Sequence, residues 1–153
     1  MVEQAIFPEQ QNTQSGDRYS QRPQNSSTWN SSPLLLQKKA EVFLTDEIYP
    51  CLQKFPKAER FALCQEIKQT LSRVIMNTIR SNVKSRGEAR LAVYEDIDAD
   101  LKYMLVLTCI SRSQKYITEN KAMQWQDKTA ELGRILGGLI KVANNHANAS
   151  YLT

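Results

Sequence analysis

KAERFALCQEIKQTLSRVIMNTIRSNVK, residues 57–84, decides the fold. Phe61, Cys64, Ile67, Leu71, Val74, Ile75 and Thr78 recur at steps of three and four, with Asn82 or Val83 closing the series. That rhythm is the apolar stripe of an amphipathic helix. Little interrupts it: the chain has no proline beyond Pro56, and between Lys57 and Leu132 its only glycine is Gly87. So few breakers over so long a stretch predict long helices.

Working outward, Gly87 ends this second helix, and a third carries Leu91, Tyr94, Ile97, Leu101, Met104, Leu105 and Thr108. The phase drifts over residues 111–120, which reads as a turn. A fourth helix follows with Ala122, Trp125 or Gln126, Thr129, Leu132, Leu136, Leu139 and Ala143. On the N-terminal side, Ser32 before Pro33 is a helix start, a capping hydroxyl followed by proline in the first turn. Leu34, Leu35, Leu36, Ala40, Phe43, Leu44 and Ile48 then recur at helical spacing. Pro50 kinks or ends that first helix, and Pro56 sets the start of the second. No alternation of period two is sustained long enough for a strand. The reading is all-α: an up-and-down four-helix bundle over residues 33–144, with a short C-terminal tail, 145–153.

Residues 1–32 differ in kind. They hold six glutamines and six serines with only scattered apolar residues, among them Phe7, Tyr19 and Trp29. Such a segment buries too little surface to offset chain entropy and reads as a disordered tail, with Trp29 incidental. The whole chain, 153 residues with 41% hydrophobic and 24% charged, has the composition of an ordinary soluble protein. No apolar run is long enough for a membrane span. Glu3 and Glu9, without an apolar core beside them, speak against a secretory signal. Three cysteines without CxxC spacing give neither a disulfide framework nor a zinc signature, so a cytoplasmic setting is expected. The only histidine is His146, which removes most histidine-based catalysis and metal binding. No catalytic residue, metal site or cofactor is expected.

Charge is the informative feature. Between Lys54 and Arg90 nine basic residues face three acids, a surplus of six where the whole chain has a net +4. At about 100° per residue, Arg73, Asn77, Arg80 and Lys84 share one flank of the second helix, away from its apolar stripe. Arg86 and Arg90 extend the ridge around the turn. A row of cations on a rigid helix suits a phosphate backbone, because each neutralised phosphate releases condensed counterions. The other reading is a solvated basic face. Glu95, Asp96, Asp98 and Asp100 form an acidic counterweight on the third helix, read as an exposed face near a helix N-terminus rather than a metal site. Arg60 lies on the apolar side and is expected either to pair with a carboxylate such as Glu131 or to sit at the open end of the bundle. Cys64 and Cys109 read as core residues and Cys51 as exposed, while Tyr94 and Tyr103 read as packing.

The segment ELGRILGGLIK, 131–141, places three glycines in a helix, where each costs about 1 kcal/mol against alanine. Gly133 and Gly137, four apart, leave one bare face that a neighbour can approach closely, with Gly138 beside them. Together with FPKAERFALCQEIK, 55–68, this segment resembles a family of four-helix-bundle proteins. The family comprises the ribosomal-RNA intervening-sequence proteins and the accessory variability determinant (Avd) of diversity-generating retroelements. The likeness covers about residues 36–142. It departs at Leu139, where such proteins often carry an aromatic, and it omits the tail. The resemblance implies a non-catalytic homopentamer, its bundles arranged as a ring or barrel, with a positively charged surface that binds nucleic acid. In the retroelement branch the partners are a reverse transcriptase, template-repeat RNA, and RNA–DNA hybrid or DNA. Arg73, Arg80, Lys84, Arg86 and Arg90 are then the expected contacts to nucleic acid or polymerase, and Gly133, Gly137 and Gly138 the packing or oligomer contacts. Two rival readings are an intervening-sequence protein without a polymerase partner and a helical protein-interaction scaffold.

Overall fold

The computed structural model describes residues 32–83 and 87–151. The tail to residue 31, with Trp29, lies outside the described residues, as do Lys84 and Arg86. Every regular element described is helical, with no strand among the described residues.

Helix α1, Pro33–Val42, begins as its sequence dictates: the Leu35 N–H donates to Ser32 Oγ at 3.0 Å, with Pro33 in the first turn. Pro50 does not end the helix. The chain instead widens into a π-helical stretch, Phe43–Ile48, and continues into α2, Tyr49–Leu52. A proline in an α-helix lacks one N–H and crowds the carbonyl four residues back. The wider turn ahead of Pro50 relieves that conflict, with the Tyr49 N–H reaching back to the Leu44 carbonyl.

The second sequence helix begins later than its periodicity suggests. Lys57–Glu59 form a 3₁₀ turn, and helix α3 runs Leu63–Val83. Helix α4, Glu88–Ser113, follows Gly87, whose φ of 110° favours glycine. A turn through Lys115 (φ 60°) lies within the expected 111–120 window. Helix α5, Glu119–Ser150, is capped by the Thr118 hydroxyl and continues past Asn144, the expected end of the bundle, into the expected tail from residue 145.

The helices stand in the order α1, α3, α4, α5 around one core, with α1 also packed against α5. Arg73 bonds Asp100 and Tyr103 reaches Glu66, so advancing along α4 means retreating along α3. The pairs Lys39–Glu131 and Glu47–Lys128 give α1 and α5 the same antiparallel relation. The core runs from Leu36, Phe43 and Ile48 through Ile67, Leu71, Ile97 and Met104 to Trp125, Leu132 and Leu136, all fully buried or nearly so.

Several stripe positions differ from the sequence reading. Leu34, Phe61, Leu105 and Cys109 are exposed. Phe61 lies ahead of α3, outside its helical phase. At the end of α3 the buried positions are Asn77, Thr78 and Ser81, while Asn82 and Val83 face outward. Small hydroxyl residues take these core sites because each can bond its own helix. Thr78 Oγ1 donates to the Val74 carbonyl and Ser81 Oγ to that of Thr78, both at 2.7 Å. Thr108, Ser111 and Thr129 do the same on α4 and α5.

Candidate nucleic-acid interface

The basic flank of α3 faces α4, and register between the two helices decides what each cation can do. Arg73 donates from Nε and Nη2 to Asp100 Oδ1 at 3.0 and 2.8 Å, and from Nη2 to Thr70 Oγ1 at 3.2 Å. The hydrogen bonds to Asp100 hold this guanidinium above its usual range, against a smaller opposing effect of burial. The Asp100 side chain is 14% exposed and that of Arg73 44%, so the pair closes the seam between helices while leaving part of the guanidinium in solvent. Asn77, expected on the open ridge, is buried in the same seam.

One turn further along, Arg80 remains exposed and makes no ion pair among the described residues. It lines a groove of about 420 Å³ with Arg73, Met76, Asp96, Ala99 and Asp100. The ridge is therefore opposed by acids within the same molecule. Asp98, the next acid, pairs with Lys102 at 2.6 Å. No group of three potential metal-binding side chains occurs among the described residues.

Arg90 does not stand out into solvent beside the others. It is half-buried at the end of the bundle, lining a cavity of about 210 Å³ with Pro33, Gly87, Tyr94, Leu139 and His146. The structure thus brings Arg73 and Arg80 into one groove and sets Arg90 apart from them. A helical wheel shows which residues share a flank; it does not show which acids stand opposite on the next helix.

The other sequence candidates resolve clearly. A Cβ built on Gly133 or Gly137 meets no atom within 4 Å, so neither glycine is needed for close packing inside this chain. Gly138 is half-buried. Arg60 is exposed before α3, at the open end of the bundle, while Glu131 pairs with Lys39 at 2.8 Å. Burial pushes the Cys51 and Cys64 thiols up, which keeps both protonated and unreactive at neutral pH.

The bAvd-like family model matches residues 34–143, from the first turn of α1 to the last well-packed turns of α5. The chain belongs to the bAvd-like family. This is the accessory variability determinant family, an accessory and non-catalytic one. No curated protein and no solved structure matches the chain. The bAvd-like match takes in the whole of α3 and α4, and so every described cation of the ridge. Among the described residues, no helix of this bAvd-like chain is long and apolar enough to cross a membrane.

Proposed function

We propose that this bAvd-like chain is the non-catalytic accessory protein of a diversity-generating retroelement. It assembles as a homopentamer in the cytoplasm, and it binds template-repeat RNA, RNA–DNA hybrid or DNA through its basic surface. It associates with the reverse transcriptase during mutagenic retrohoming. The observation that carries this reading is the family match across the whole bundle. The exposed Arg80 and the excess of basic residues between Lys54 and Arg90 supply the charge that nucleic acid requires. The open backbone at Gly133 and Gly137, together with exposed Tyr103, Val106 and Ile110 on α4, leaves surface for neighbouring copies.

Light scattering gives the mass in solution, and titration with single-stranded RNA, hybrid and duplex DNA at two salt concentrations gives affinity and its electrostatic share. A pentamer whose binding weakens steeply with salt, and which captures a co-expressed reverse transcriptase, is the expected result. A monomer indifferent to nucleic acid at low salt refutes the reading.

A further inference from the structure

The connection between α2 and α3 forms one end of the bundle, and its shape is fixed by internal bonds. Phe55 turns inward, its ring centroid 5.3 Å from that of Tyr116. The Glu59 N–H donates to the Pro56 carbonyl, Arg60 N–H to that of Lys57, and Ala62 N–H to that of Glu59. The Glu59 carboxylate accepts from the Tyr116 hydroxyl at 3.1 Å and from the Leu63 N–H at 3.3 Å. Burial and this contact with Glu59 together push the Tyr116 phenol up. Within this tied loop Phe61 is 88% exposed. The loop has one phenyl ring packed inward and another held outward.

Cations flank that ring in sequence, on the same loop and the first turns of α3. Lys54, Lys57 and Arg60 are exposed on the same loop. Lys68, on α3, places its ammonium 5.6 Å from the centre of the half-exposed Tyr49 ring. Arg60, Lys68 and Tyr49 line a cavity of about 290 Å³ with Gln53, Phe55 and Pro56. Of the two acids in the stretch, Glu59 is engaged as described and Glu66 faces the Tyr103 hydroxyl on α4 at 3.4 Å. Unlike Arg73, none of these cations has an ion-pair partner among the described residues.

We infer that this end of the bundle is a contact for single-stranded nucleic acid. The Phe61 ring stacks on one unpaired base, while Lys54, Lys57, Arg60 and Lys68 take the flanking phosphates. An exposed ring gains from a base only where the face of that base is free, which excludes the interior of a duplex. The cations supply the backbone attraction that every nucleic acid shares. An exposed ring on a loop that also carries three exposed cations matches the pairing of stacking platform and basic track that holds a single strand. The inference rests on the nucleic-acid reading above and locates a contact separate from the α3 groove.

The test measures anisotropy of a labelled single-stranded RNA and of a duplex of the same sequence, using full-length wild type, Phe61→Ala and Phe61→Trp at two salt concentrations. Phe61→Ala is expected to weaken single-strand binding by roughly ten-fold and duplex binding by less than about two-fold. Phe61→Trp is expected to retain wild-type affinity, because it restores a stacking face, and circular dichroism should be the same for all three. Unchanged single-strand affinity in Phe61→Ala, with wild type binding normally, overturns this contact and leaves the broader reading intact. Equal losses on single strand and duplex overturn stacking in favour of a general backbone contact. Unchanged RNA binding with lost capture of the reverse transcriptase assigns the surface to the polymerase and overturns the proposal. Wild type that binds no nucleic acid overturns both readings.

Discussion

Replacing either partner of the Arg73–Asp100 pair tests how the α3–α4 seam is held. Arg73→Ala leaves a carboxylate that is only 14% exposed without its cation or its two hydrogen bonds. Leaving such a group unsatisfied costs about 2 kcal/mol. Asp100→Ala leaves a guanidinium that is 44% exposed, can be hydrated, and keeps Thr70 within reach. That loss is about 1 kcal/mol, the upper end for a pair near the surface. The double variant should lose less than the sum of the two, with a coupling of about 1 kcal/mol. Urea unfolding followed by circular dichroism measures all four proteins. The same pair predicts a binding effect of opposite sign. Asp100→Asn removes the charge competing for Arg73, so affinity for RNA should rise at low salt and the salt dependence should steepen by about one phosphate contact. Equal single losses with coupling below about 0.3 kcal/mol would refute the argument that this seam depends on a covered carboxylate.

Arg80→Gln should weaken nucleic-acid binding several-fold and flatten its salt dependence with little change in the unfolding midpoint, because Arg80 is exposed and makes no ion pair among the described residues. Gly137→Ala should raise helix stability by about 0.5–1 kcal/mol, since a Cβ there meets nothing within 4 Å; Gly137→Leu should disrupt assembly in light scattering while leaving helicity intact. The hydrogen bond from Lys39 holds Glu131 below the ordinary carboxylate value of 4.5, against some desolvation. Its stabilisation is therefore complete above about that pH and is lost as pH falls through the lower folded value. Glu131→Gln should shallow the acid limb of stability against pH below about 4.5 and should be less stable than wild type at neutral pH.

The helices were legible because Ile67, Leu71 and Val74, like Ile97, Leu101 and Met104, announce their buried faces through apolarity and spacing alone. The stripe became misleading where the core turns polar. Thr78 and Ser81 are buried through bonds to their own backbone, a device that hydropathy scores as exposure. Phe61 misled in the other direction, because an aromatic residue two positions ahead of a helix fits the period without lying on the helix. The basic surplus was plain from composition. The neutralisation of Arg73 was not, because it depends on a residue 27 positions away arriving opposite through packing. The bare glycine face was likewise visible in ELGRILGGLIK, whereas its being open to the outside depends on how α5 sits among its neighbours.

The wide turn before Pro50 also acts as a phase adjuster. Leu36, Ala40, Leu44, Ile48 and Leu52 follow one another every four residues, and all are buried. In an uninterrupted α-helix such a row rotates by about 40° at each step and soon winds away from whatever it first faced. The additional residue accommodated between Phe43 and Ile48 takes up that rotation, so the two halves address the same neighbours. Deleting a single residue there would give a more regular helix and a worse protein, with Ile48 and Leu52 swung by about 100° toward water. The first helix therefore tolerates changes in letter more readily than changes in length.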